Sequence, residues 1–158
     1  ATNPYFIGFA QPHIKGHVAT ALKFAAASPD EKAGLTAMQN EKHFYYLAQS
    51  VKDGKPVVEL YKDSNIIASK TISLKSKQPV YLKIETNKGT YSFYYATVEN
   101  KWQLLLANAD GKYLSTKGAG GFVGVLYAMY ATSNGLASNN KAIFNWFEVK
   151  NDDDVYKK

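Results

Sequence analysis

The sequence predicts an all-β fold, one domain of ten or more antiparallel strands closed as a sandwich or a barrel. Three observations carry that prediction. Apolar residues recur with a period of two over much of the chain, as in Val80-Tyr81-Leu82-Lys83-Ile84-Glu85, where Val80, Leu82 and Ile84 share one face. Short dipeptides that tolerate positive φ punctuate these runs: Asp53-Gly54, Lys88-Gly89, Asp110-Gly111 and Asn134-Gly135. Composition agrees, since 12 tyrosines, eight phenylalanines and two tryptophans accompany only 20% charged residues, far from the disordered class. A chain of 158 residues makes a single domain with a core that needs no metal or disulfide, and it contains no cysteine.

Taken in order, strands are expected near 17–25, 33–40, 42–52, 56–63 and 65–73, with Asp53-Gly54 turning the third into the fourth. Within the third, alternation puts Phe44 and Tyr46 on one face and His43, Tyr45 and Leu47 on the other, and one of those faces should point outward. Three further runs make a meander: residues 80–85, then 91–95, where Tyr91, Phe93 and Tyr95 alternate with Ser92 and Tyr94, then 102–106, where Trp102, Leu104 and Leu106 alternate with Gln103 and Leu105. Strands near 120–132 and 141–150 complete the domain. Residues 25–32 contain Pro29 and two carboxylates that would suit a short helix, but a loop is expected there. The domain spans 1–150, and the tail 151–158, apolar only at Val155 and Tyr156, is expected to fray.

Charge excludes several functions. All 19 basic residues are lysine, for a net charge of +6, and no arginine supplies the planar fork that reads phosphate or guanine. Lys23, Lys32, Lys52, Lys62, Lys83, Lys101 and Lys141 are scattered, so no nucleic-acid partner is expected. The longest apolar run, 121–131, is too short to span a bilayer, and the opening Ala1-Thr2-Asn3-Pro4 has no signal-peptide regions and looks cut. Of 13 carboxylates, those in turns, including Glu31, Asp63 and Asp110, read as solvated, and Glu59, Glu85 and Glu148 sit on strands without marking a buried acid. His13, His17 and His43 lack metal-ligand spacing, and Gly118-Ala119-Gly120-Gly121 lacks the ending of a phosphate loop. No cofactor is implied; structural calcium held by loop carbonyls leaves no mark in a sequence.

Aromatic surface remains. Tyrosine and tryptophan on a sheet face stack on the apolar C–H groups of sugar rings, with Gln39, Asn40 and Gln49 as amide partners for hydroxyls. Tyr45, Tyr94 and Trp102 are the carbohydrate-binding candidates, each dependent on strand register, because a slip of one residue exchanges inside for outside.

Four segments in order resemble a known family: Ala33-Gly34-Leu35-Thr36-Ala37-Met38-Gln39-Asn40, then His43-Phe44-Tyr45-Tyr46-Leu47, then Gly120-Gly121-Phe122-Val123-Gly124, then Ala142-Ile143-Phe144-Asn145-Trp146-Phe147. Together they resemble the C-terminal concanavalin A-like β-sandwich of glycoside hydrolase family 43 β-xylosidases. The opening Phe6-Ile7-Gly8 and Gln11-Pro12-His13 are similar to the segment entering that domain. The resemblance implies a two-sheet jelly roll and a non-catalytic accessory domain whose partner is an N-terminal five-bladed propeller acting on xylo-oligosaccharides or related pentosides. It further implies that Phe122, with Gly120 and Gly121 beside it, helps wall that propeller's pocket, and that xylan is a ligand. The resemblance leaves the compartment open, since such enzymes are both exported and intracellular, with export to the periplasm or medium slightly favoured. Arginines that family members carry near Phe9 and Ala10 are absent, which leaves the pentoside open. A free-standing lectin-like or laminarinase-like sandwich with its own site is the alternative, and it would show one deep polar cleft.

Overall fold

The computed structural model describes residues 5–10, 15–40, 43–75, 78–87, 89–111, 125–132 and 143–151. Among them all eleven regular elements are strands: β1 (Tyr5–Ala10), β2 (Gly16–Lys23), β3 (Lys32–Asn40), β4 (His43–Lys52), β5 (Lys55–Lys62), β6 (Asn65–Thr71), β7 (Val80–Asn87), β8 (Thr90–Ala96), β9 (Gln103–Asp110), β10 (Val125–Thr132) and β11 (Ile143–Asn151). They form two antiparallel sheets, one of six strands in the order β1-β10-β3-β4-β5-β6 and one of five in the order β11-β2-β7-β8-β9. Sequence alternation located ten of these strands. The eleventh, β1, lies in the segment read only as an entry to the domain, and it pairs antiparallel with β10.

Each sheet turns one row of alternate residues inward. Leu35, Leu47 and Leu60 lie side by side across β3, β4 and β5, and Val80, Leu82 and Ile84 of β7 face them with Phe93 of β8; all are fully buried. Burying such side chains contributes roughly 1.5–3 kcal/mol each, which makes this row the main source of stability. The outward row of β7, namely Tyr81, Lys83 and Glu85, is half-buried, as the period of two requires.

The turns divide by mechanism. Asp53 and Gly54 both adopt positive φ, 53° and 75°, which is the two-residue type I′ geometry that matches strand twist. Gly89 adopts φ 92° between β7 and β8. Asp110-Gly111 departs from expectation, because neither residue has positive φ there. Gly111 instead brings its N–H to the Gly89 carbonyl at 2.8 Å, and a Cβ on it would stand 2.5 Å from that oxygen. Asp63, placed in a turn by the sequence, is left-handed as well, with φ 56°; it closes β5 onto β6 and takes the Phe44 N–H on its carboxylate at 3.0 Å. Asn134-Gly135 lies outside the described residues.

Residues 24–31 form a turn-containing loop rather than a helix, with the Glu31 N–H donating to the Ser28 carbonyl at 3.0 Å. The loop crosses one end of the sandwich. The Gln49 side chain donates to Phe24 carbonyl at 2.8 Å, and Ser50 Oγ donates to Glu31 carbonyl at 2.7 Å. Asn151, assigned to the tail from sequence, is the last residue of β11 and pairs with Gly16; residues 152–158 lie outside the described residues.

Candidate functional site

Strand register decides which aromatics can meet a ligand. β4 runs through the middle of the six-stranded sheet, and both of its faces are covered. Tyr45 therefore does not act as a surface platform: it is 1% exposed, with its ring 5.3 Å from Phe93 and 6.0 Å from Tyr91. The opposite face of β4 does not point into solvent either, since Tyr46 packs against Tyr61 at 6.1 Å. Gln49 is buried, with its amide nitrogen donating to the Phe24 carbonyl, and burial removes it from the set of sugar contacts. The side chains of Gln39 and Asn40 lie outside the described set.

Tyr94 and Trp102 both lie against Lys83 on the outer face of the five-stranded sheet. The β7–β8 register places Lys83 opposite Tyr94, and the β8–β9 register places Leu104 opposite Tyr94 on the other side. Lys83 Nζ lies 4.6 Å from the Tyr94 ring centre and 4.7 Å from that of Trp102, so the ammonium draws both rings to one point. Tyr94 donates its hydroxyl to Glu85 Oε1 at 3.1 Å. Burial, then the neighbouring Glu85 carboxylate, raises the Tyr94 phenol above its ordinary range. Both rings keep part of their surface in solvent, and Leu104 beside them is 54% exposed.

Lys83 and Glu85 were not singled out as site residues from sequence. The signal for them was present in the alternation of residues 80–85, whose outward row is Tyr81, Lys83 and Glu85, once the hairpin register set that row against Tyr94.

A second cluster lies on the outer face of the six-stranded sheet. Glu59, 7% exposed, accepts the Tyr61 hydroxyl at 3.0 Å, and Lys32 Nζ stands 5.8 Å from the Tyr61 ring centre. Burial and then the Glu59 charge push the Tyr61 phenol up. Glu59 and the equally buried Glu31, which takes the Ala27 N–H, correct the reading that no carboxylate is withdrawn from solvent. Each is satisfied locally, by a phenol and by a backbone amide.

The third arrangement concerns the chain segment 112–124, where Phe122, Gly120 and Gly121 lie outside the described residues. Its two roots are described. At the first, Tyr45 donates its hydroxyl to the Asp110 carbonyl at 3.0 Å, and Gly111 bonds Gly89. At the second, Tyr127 of β10 is buried and hydrogen-bonds Thr86 Oγ1 across the sheets. Burial raises the Tyr127 phenol to about 12, partly offset by the bond to Thr86. A layer of tyrosines thus fastens both ends of the β9–β10 connection to the core.

Known proteins share this architecture. A Bacteroides ovatus non-reducing end α-L-arabinofuranosidase is 28% identical over 150 residues, covering 94% of this chain and 28% of the relative. A xylosidase/arabinosidase of Butyrivibrio fibrisolvens is 29% identical over 154 residues, covering 94% and 29%. The chain therefore spans under a third of the length of these curated relatives. Among solved structures, Bacteroides ovatus xyloglucan PUL GH43B superposes with a TM-score of 0.77 at 24% identity, over 95% of this chain and 32% of that one. The family described as the β-xylosidase C-terminal concanavalin A-like domain matches residues 1–150, and with its two antiparallel sheets the chain belongs to that family, the C-terminal domain of family 43 glycoside hydrolases.

Proposed function

We propose that this chain is the non-catalytic accessory domain of a family 43 glycoside hydrolase that removes pentosyl units, β-xylosyl or α-arabinofuranosyl, from hemicellulose. Its partner is an N-terminal propeller carrying the acid and base. The segment 112–124 lends Phe122, between Gly121 and Val123, as one wall of the propeller's pocket, and the domain adds affinity for xylan. The supporting observation is that the described residues on either side of that segment are hydrogen-bonded to the body of the sandwich, Asp110 by Tyr45, Gly111 by Gly89, and Tyr127 of β10 by Thr86. A positioned aromatic excludes water and orients a sugar without taking part in bond cleavage.

The test is kinetic. In the enzyme carrying this domain, Phe122→Ala is expected to lower kcat/KM for aryl pentosides by about tenfold or more while leaving the thermal midpoint nearly unchanged. The isolated 158-residue chain is expected to hydrolyse none of them. Unchanged kinetics in the variant, or hydrolysis by the isolated chain, would sink the reading.

A further inference from the structure

Among the described aromatic residues, most are sealed into the core or against one another: Tyr45, Tyr91, Phe93, Tyr95 and Tyr127 in the core, Tyr46 against Tyr61. The Trp102–Tyr94 pair differs. It lies on a sheet face, keeps ring surface in solvent, and is flanked by the exposed apolar side chain of Leu104. Between and beside the rings stand one ammonium donor, Lys83, and one carboxylate acceptor, Glu85. A flat apolar surface with a donor and an acceptor at its margin matches a pyranose ring, which offers axial C–H groups on one face and hydroxyls around its edge.

We infer that Trp102, Tyr94, Lys83 and Glu85 form a binding surface for a neutral polysaccharide chain. Trp102 supplies the stacking face, Lys83 donates to a ring hydroxyl and Glu85 accepts from one. The inference rests on the accessory-domain reading for its choice of glycan, β-linked xylan. The four residues are spread over β7, β8 and the approach to β9, with Trp102 just before β9 and Glu85 paired with Ser92 of β8, so the surface runs along the outer face of the sheet and suits an internal stretch of polymer. Its effect is confined to polymeric substrate, where it raises the local concentration of chain ends. Lys83 also has a purely structural use, holding the two rings together, and the test separates the two roles.

The experiment is titration of the isotopically labelled 158-residue chain with xylohexaose and, separately, with xylose, followed by amide and indole NMR shifts. Xylohexaose is expected to move the Trp102 indole N–H and the amides of Lys83, Glu85 and Tyr94, with xylose giving little. Trp102→Ala is expected to weaken xylohexaose binding by about tenfold or more. Leu104→Glu, at an exposed position beside the platform, is expected to weaken it without touching the fold, which keeps the test decisive if Trp102→Ala unfolds. Shifts confined to another face, or none at the highest soluble ligand concentration, would overturn the inference. Hydrolysis of small aryl pentosides by the Phe122→Ala enzyme is unaffected by either outcome, so the two proposals fail independently.

Discussion

Gly34 shows how one residue constrains the whole six-stranded sheet. It lies in β3 opposite Ala48, and a Cβ built on it would stand 1.9 Å from the Leu47 carbonyl oxygen and 2.7 Å from the Ala48 Cα. Backbone cannot step aside as a flexible side chain can. Gly34→Ala is therefore expected to cost about 3 kcal/mol or more, read from urea unfolding midpoints. Tyr127 is a milder case. Its hydroxyl has a buried partner, Thr86, so Tyr127→Phe leaves one hydroxyl to find another bond and is expected to cost about 1–1.5 kcal/mol by the same measurement. Tyr91 behaves differently, since its hydroxyl is buried without a hydrogen-bond partner among the described residues. Removing that oxygen forfeits no bond, and Tyr91→Phe is expected to be neutral or stabilising.

At the scale of elements, the β4–β5 hairpin isolates the backbone cost of a turn from packing. A Cβ on Gly54 would meet nothing within 4 Å, while φ is +75°. Gly54→Ala should thus cost about 1–2 kcal/mol through conformation alone, whereas Gly111→Ala, at ordinary φ, fails by collision with Gly89. The two substitutions, compared by thermal unfolding, separate those mechanisms. The same elements show what alternation conveys. Residues 80–85 and 91–95 obey it, because β7 and β8 are interior strands paired in simple register. β9 does not: its register with β8 shifts twice, between Tyr91 and Phe93 and between Phe93 and Tyr94, and Asn108 adopts φ 58°. Leu105 and Leu106 accordingly both pack against the core, which the expected alternation of Leu104 with Leu106 had excluded.

For the molecule as a whole, the tyrosine layer makes a pH prediction. Tyr45, Tyr61, Tyr91 and Tyr94 are all raised above their ordinary value of 10.0, with burial the leading cause, and Tyr127 reaches about 12. An acid whose folded pKa exceeds its unfolded one is neutral in both states at neutral pH, so its contribution is intact there. As pH rises past 10.0 the unfolded chain loses the phenolic protons first, and stability falls through the folded values. Unfolding midpoints are expected to be flat from pH 7 to about 9 and to drop steeply above about 10. Phenolate absorbance should show a set of tyrosines that ionise only as the chain unfolds.

The amino-acid sequence by itself determined the antiparallel all-β character, ten of the eleven described strands, the positive-φ turn at Asp53-Gly54 and, through the resemblance, the two-sheet sandwich and its family. Each of these follows from local chemistry: side-chain period, residues that accept positive φ, and an ordered set of short motifs. Tertiary structure decided which face of each strand meets solvent. Tyr45 and Tyr94 are the same residue type in similar local runs, yet one is core and the other surface, because β4 is covered on both sides and the outer row of β8 is not. The pairing of Trp102 with Lys83 was likewise invisible in sequence, as it joins residues nearly twenty positions apart through strand registers and a bulge. Periodicity specifies that a strand has two faces; only the packing of one sheet against the other, and of loops over both, assigns them.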